Sequence, residues 1–378
     1  MLHRQRLFST FCDIFSTTAI GDVKYLYLNY LRIFGGVAMG FITQQEQPDA
    51  LLEHLRADYT IYAPKRYVGG GSFSDTYCVR YGEIQSVNEI IFDEKSQYSF
   101  KEVLLPVSQT LFYFTEHEVK EADAPVKGSV IFLRSCDIHA LKRLDDMYLH
   151  NGPEDYYYRR LRDRIKLVLM GCGDSFENCF CVSMDINIAD HYDLSTDAVG
   201  GQYFLDSKDS EWSQFLCGLG IPKQPVVPAH VTENTVTLSI PDNLDCSVSG
   251  SSIWTEYDSR CINCGRCNFV CPTCTCFSMQ DLFYSENARA GERRRVWASC
   301  MVDGFTDVAG GRSYRKQNGQ RMRFKVLHKV LDYKQRNGYH MCVGCGRCDD
   351  ICPEYISFSN CVNRLENAMK EVSSHDAE

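Results

Sequence analysis

The 378-residue sequence lacks an apolar stretch able to span a membrane. Between Leu7 and Ile42 it is apolar and aromatic, but Asp22, Lys24 and Arg32 interrupt every window approaching the roughly 20 apolar residues a span requires. No short apolar core with a small-residue cleavage site follows Arg4 and Arg6, so no signal peptide is expected. A G-x-G-x-x-G fingerprint opening a helix after a strand is missing, which leaves nicotinamide or flavin binding by this chain unsupported. Positive charge is in deficit: the net charge of -9 excludes a general nucleic-acid binder. No complete catalytic constellation is visible either, so no active site of its own is expected.

What the chain has in abundance is cysteine, 20 residues of it. Cys261, Cys264, Cys267 and Cys271 precede Pro272, and Cys342, Cys345, Cys348 and Cys352 precede Pro353, writing C-x2-C-x2-C-x3-C-P twice. This is the bacterial ferredoxin spacing for [4Fe-4S] clusters, in which the fourth cysteine of each run serves the other cluster. Three thiols spaced by two residues let one tight loop reach three corners of a cube, and proline after the fourth turns the chain away without offering an N-H. Cys261, Cys264, Cys267 and Cys352 are therefore expected to hold one cluster, and Cys342, Cys345, Cys348 and Cys271 the other. Zinc would call for two C-x2-C pairs, and cysteines this dense cannot all reach disulfide partners. A large chain whose thiols lie in ferredoxin runs fits a reducing cytosol, hence a cytoplasmic location.

The length allows two or three domains. Residues 1–38 read as an extension, disordered or an upstream-start artefact, because Met39 opens a better domain start: Thr43 as N-cap, Glu46 three residues on, then Leu51, Leu52 and Leu55 at helical spacing. Residues 39–250 alternate strand and helix patterns and are expected to form an α/β domain. The run Val130 to Leu133 is a short buried strand ending at Cys136, with Ile138, Leu141 and Leu144 continuing at helical spacing, and Ile165 to Met170 is a second strand ending at Cys172. Cysteines just past strand carboxyl ends lie where open α/β sheets build their sites. With Cys179 and Cys181 they supply four thiols for a third [4Fe-4S] cluster, the alternative being free cysteines packed in a core.

Residues 251–378 are expected to be a bacterial-ferredoxin-like α+β dicluster domain with a long basic insertion, 282–338. There Arg293, Arg294, Arg295, Arg312, Arg315, Lys316, Arg321, Arg323 and Lys325 face few acids, which reads as a solvated loop in preference to a docking surface. Cys274, Cys276 and Cys300 read as packed thiols, with extra ligands or redox-active thiols as alternatives. Cys12, Cys78, Cys217, Cys246 and Cys361 read as structural. Gly69, Gly70 and Gly71 read as a plain turn, and His117 and His139 as satisfied structural histidines.

The stretch Cys261 to Asp281, together with S-F-K-E-V-L-L-P from Ser99, C-D-I-H-A-L from Cys136 and G-C-G-D-S-F-E-N-C-F-C from Gly171, resembles the 4Fe-4S dicluster subunits of anaerobic sulfite reductases and the beta subunits of cytoplasmic sulfhydrogenases. The resemblance runs from about Met39 to the C-terminus. It departs in one respect: about 70 residues separate the two ferredoxin runs, in place of a short linker. It implies an iron-sulfur subunit relaying electrons from an NADH-oxidising flavin subunit to a sirohaem subunit that reduces sulfite to sulfide. It also favours the third cluster at Cys136, Cys172, Cys179 and Cys181. The alternatives are the beta subunit of a sulfhydrogenase and a non-catalytic interaction protein whose clusters brace the fold.

Overall fold

The computed structural model describes residues 39–375 apart from 285, 287 and 288, so the expected 1–38 extension and Cys12 lie outside the described residues. The N-terminal part supplies strands β1 (Met39–Thr43), β2 (Tyr59–Val68), β3 (Tyr77–Glu83), β4 (Ser108–Phe114), β5 (Val119–Glu121), β6 (Gly128–Leu133), β7 (Ile165–Met170), β8 (Leu194–Val199), β9 (Gln202–Ser207) and β10 (Lys223–Pro225). Eight of them form one sheet in the order β10-β1-β9-β8-β7-β6-β2-β3. Strands β2, β6, β7 and β8 run parallel, with antiparallel strands on both flanks. Parallel strands are buried on both faces. Val130 and Phe132 face a core with Leu51, Leu52 and Trp212, while Ile131 and Leu133 face a second core reaching into the C-terminal part.

Helices α1 (Glu46–Leu55), α2 (Ser135–Leu149), α3 (Tyr156–Arg162) and α4 (Ser210–Gly218) cover this sheet. The strands expected at Val130–Leu133 and Ile165–Met170 are present, and α2 starts directly after β6. The expected cap at Thr43 is corrected: Thr43 ends β1, its hydroxyl donates to the Tyr203 carbonyl at 3.4 Å, and Gln45 is the N-cap without a side-chain bond. Pairing of β1 with β9 claims the residue before the helix can use it. Gly200 and Gly201, both at positive φ, join β8 to β9 in a two-residue hairpin loop that favours glycine. Gly69 turns the β2–β3 hairpin at φ 73°.

In the C-terminal part, β11 (Phe277–Phe283) and β12 (Gly291–Trp297) extend β4 and β5 into a four-stranded sheet, and a small hairpin follows, β13 (Asp307–Val308) with β14 (Arg312–Ser313). Helix α5 (Asn318–Leu327) continues through a π turn, His328–Asp332, to Asn337. Helices α6 (Phe358–Asn363) and α7 (Leu365–His375) close the chain. The expectation of a solvated basic loop is corrected in part: the insertion is folded and the arginines of β12 are paired with acids, while Arg312 and Lys316 are exposed. Arg293 holds Asp281 at 2.7 Å, Arg294 pairs with Glu292, and Arg295, 5% exposed, reaches Asp155 at 2.6 Å. Arg321 and Lys325 are also buried. Asp155 lies 140 residues from Arg295, so local charge counting could not find it.

Candidate metal centres

Each ferredoxin run makes a tight loop followed by one helical turn, Arg266–Phe269 or Arg347–Asp350. The two copies repeat in conformation as well as spacing: Asn263 (φ 61°) and Gly344 (φ 60°) correspond, as do Gly265 (φ 71°) and Gly346 (φ 69°). These left-handed positions let successive thiols turn inward from a short loop, which asparagine and glycine tolerate best.

Cys261, Cys264, Cys267 and Cys352 line one cavity with ≈ 490 Å³ of empty space. Cys348 lines it too, so two cysteines of the second run stand beside three of the first. The Cys271 thiol lies within electrostatic reach of Cys342 and Cys345, and Cys348 within reach of those same two. The Gly344 N-H donates to Cys342 Sγ at 3.5 Å and the Ile356 N-H to Cys352 Sγ at 3.3 Å, contacts of the kind that set cluster potentials.

Cys136, Cys172, Cys179 and Cys181 line another cavity, ≈ 440 Å³. Cys136 opens α2 after β6, Cys172 follows β7, and the other two sit in the loop leading to β8. The loop carrying Cys179 and Cys181 touches the second ferredoxin run: the Phe180 N-H donates to the Gly344 carbonyl at 2.8 Å. A Cβ at Gly346 would lie 2.2 Å from the Asn178 carbonyl oxygen, so only glycine permits this approach.

The donor sets suit iron-sulfur cubes. Among the described residues no three His, Cys, Asp or Glu side chains converge on a single ion, and each cavity instead has five cysteines around its wall. Burial pushes three of these thiols up, Cys181 and Cys345 to about 11 and Cys342 to about 12, so iron must displace their protons on binding.

Several functional candidates escaped the sequence reading. Lys325 lines the first cavity and interacts with Cys267 and Cys348, while Lys329, one helical turn on, faces Cys271, Cys274 and Cys342. Their i, i+4 spacing was the available signal. Lys95 Nζ reaches Asp350 at 2.5 Å, the Cys345 carbonyl at 3.0 Å and Cys179 Sγ at 3.8 Å. Arg347, 2% exposed, binds fully buried Asp137 at 2.9 and 3.0 Å and the Ser96 carbonyl at 3.0 Å. Buried cations of this kind offset negative charge on thiolates and clusters.

Other sequence candidates lie elsewhere. His139 contacts the Ile188 carbonyl at 2.8 Å, His117 is exposed, and neither lines the two thiol cavities. Cys361 is buried against Tyr257, but Cys217 and Cys246 are exposed, so they pack no core. Cys78 is half-buried beside the Gly70 turn.

Residues 260–356 match the 4Fe-4S dicluster domain family. Over 326 residues, 82% of this chain and 93% of the relative, the sequence is 28% identical to sulfhydrogenase 2 subunit beta of Pyrococcus furiosus. No solved structure matches the chain. Among the described residues no helix is long and apolar enough to cross a membrane. A C-terminal dicluster domain and this relative support an iron-sulfur electron-transfer subunit.

Proposed function

We propose that the chain is the iron-sulfur relay subunit of a multi-subunit oxidoreductase, with three [4Fe-4S] sites in a row. The first is held by Cys261, Cys264, Cys267 and Cys352, the middle by Cys342, Cys345, Cys348 and Cys271, and the third by Cys136, Cys172, Cys179 and Cys181. The carrying observation is that two thiols of the middle set face both neighbours: Cys348 lines the first cavity and Cys345 the third. One cluster would suffice to staple a fold, whereas sites sharing walls make a path.

A bound [4Fe-4S] cluster takes up and returns single electrons. The protein's own residues set the conditions. Lys325, Lys329, Lys95 and Arg347 surround the sites with buried positive charge, and backbone N-H groups donate to Cys342 and Cys352. The first site opens to the surface, where Cys264 and Ile262 (56%) on its wall are exposed, giving a redox partner close approach.

In this reading the donor is a flavin subunit that oxidises NADH, and the acceptor is a sirohaem subunit that reduces sulfite, following the resemblance of the cysteine motifs. A second reading, an acceptor of the sulfhydrogenase type, is favoured by the relative at 28% identity. Anaerobic purification of the native complex decides between them. Co-purification with a sirohaem protein, and loss of NADH-dependent sulfite reduction in cells lacking this chain, is the expected result. Co-purification with a nickel-iron subunit moves the assignment to the second reading, and sulfite reduction by the isolated chain overturns the relay role.

A further inference from the structure

Three cysteines remain outside the proposed ligand sets near the middle site. Cys274 and Cys276 follow the first ferredoxin run, and Cys300 arrives from beyond β12. The β11–β12 hairpin brings them together: Phe277 pairs with Trp297, and the Ala298 N-H donates to the Cys276 carbonyl at 3.0 Å. Cys276 packs against the same buried cluster that contains Cys300, and the two thiols are close enough to act on each other. Asn268 Nδ2 donates to Cys300 Sγ at 3.1 Å and fixes it from behind. The Cys274 thiol lies close enough to Cys271, a ligand of the middle site in the relay reading, for each to act on the other.

These thiols are not arranged as ordinary core. Two buried lysines attend them: Lys329 Nζ donates to Thr273 Oγ1 at 2.7 Å beside Cys271 and Cys274, and Lys101 Nζ donates to the Cys274 carbonyl at 3.0 Å. Nor do they resemble a fourth cluster site. Of the cysteines only Cys274 and Cys276 line the adjoining cavity, against five around each of the other two. Half-buried Cys276 faces that cavity, while Cys300 is 6% exposed behind it.

We propose that Cys276 and Cys300 form a redox-active dithiol–disulfide couple that exchanges electrons with the middle iron-sulfur site. On oxidation the two thiols release two protons and two electrons and one Sγ–Sγ bond forms. With a [4Fe-4S] cluster held by Cys342, Cys345, Cys348 and Cys271, that one-electron acceptor would take the two electrons one at a time, the first being handed on along the row before the second leaves. On reduction two electrons return the same way, the Sγ–Sγ bond breaks, and two protons enter through the cavity at Cys276. The inference rests on the relay reading, because the middle cluster is the one-electron partner, and Cys274 with Cys271 is the short bridge between them. The couple would give a one-electron path a two-electron store.

The test uses the full-length, anaerobically purified holoprotein, oxidised with thionine or reduced with dithionite, then denatured in an alkylating agent and mapped by mass spectrometry. The expected result is a linked pair of peptides carrying Cys276 and Cys300 in the oxidised sample and alkylated thiols at both positions in the reduced one. Coulometry should show Cys300→Ser accepting two electrons fewer than wild type at equal iron content. Absence of the linkage in oxidised, iron-loaded wild type overturns the inference and leaves the relay intact. A loss of about four irons in Cys300→Ser also overturns it, since Cys300 would then be a cluster ligand. Wild type lacking iron-sulfur signals altogether defeats the relay reading itself.

Discussion

Arg347 in the second ferredoxin run and Arg266 in the first hold equivalent positions, G-R-C, in opposite surroundings: Arg266 is exposed, whereas Arg347 is locked between Asp137 and Ser96. Removing one partner of a buried pair leaves the other charge without compensation and costs about 3 to 5 kcal/mol. Arg347→Met should therefore lower stability by that order in urea denaturation of the anaerobic protein, and the double variant with Asp137→Leu should recover much of it. A cost under about 1 kcal/mol in the single variant would mean that the pair clamps nothing. The crossed ligands make a second test at this scale. Cys352→Ala should remove the signal of the cluster held by Cys261, Cys264 and Cys267, and Cys271→Ala that of the cluster held by Cys342, Cys345 and Cys348. Electron paramagnetic resonance on each variant checks it, and loss of the cluster adjacent in sequence would contradict the cavity lining.

At the scale of elements, two loops from distant parts of the chain meet through glycine. Gly346, at φ 69°, gives the Asn178 carbonyl room that a methyl group would fill. Gly346→Ala should disturb the second and third sites together and leave the first nearly intact, read as selective loss of iron and of two of three redox transitions; equal loss at all three sites would point to general misfolding instead. The sequence made some of these elements legible and hid others for physical reasons. The uninterrupted apolar runs of β6 and β7 signal strands covered on both faces, and cysteines directly after them mark a site at the strand ends. Repeated spacing made the dicluster domain readable. The insertion was misread because Arg295 finds its acid in Asp155, on the far side of the sequence, and because Lys325 and Lys329 look like surface charge until α5 places them against thiols. Thr43 had the chemistry of a cap, but sheet pairing took it first.

At the scale of the whole molecule, the parallel sheet and the ferredoxin-type loops share one continuous core, so strand-end thiols and dicluster thiols are held in a fixed relation. That relation gives a relay its physical basis: electron transfer depends on clusters kept close and dry, and Cys345 with Cys348 places the middle set against both others. The paired arginines of β12 change what the basic insertion means, since cations engaged with Asp281, Glu292 and Asp155 hold the fold together before they can attract a partner. The central claim, three cluster sites in one chain, is tested most directly by iron analysis of anaerobically purified protein beside its Cys172→Ala variant. The account predicts about twelve irons per chain, falling to about eight in the variant; about eight irons in both would contradict it.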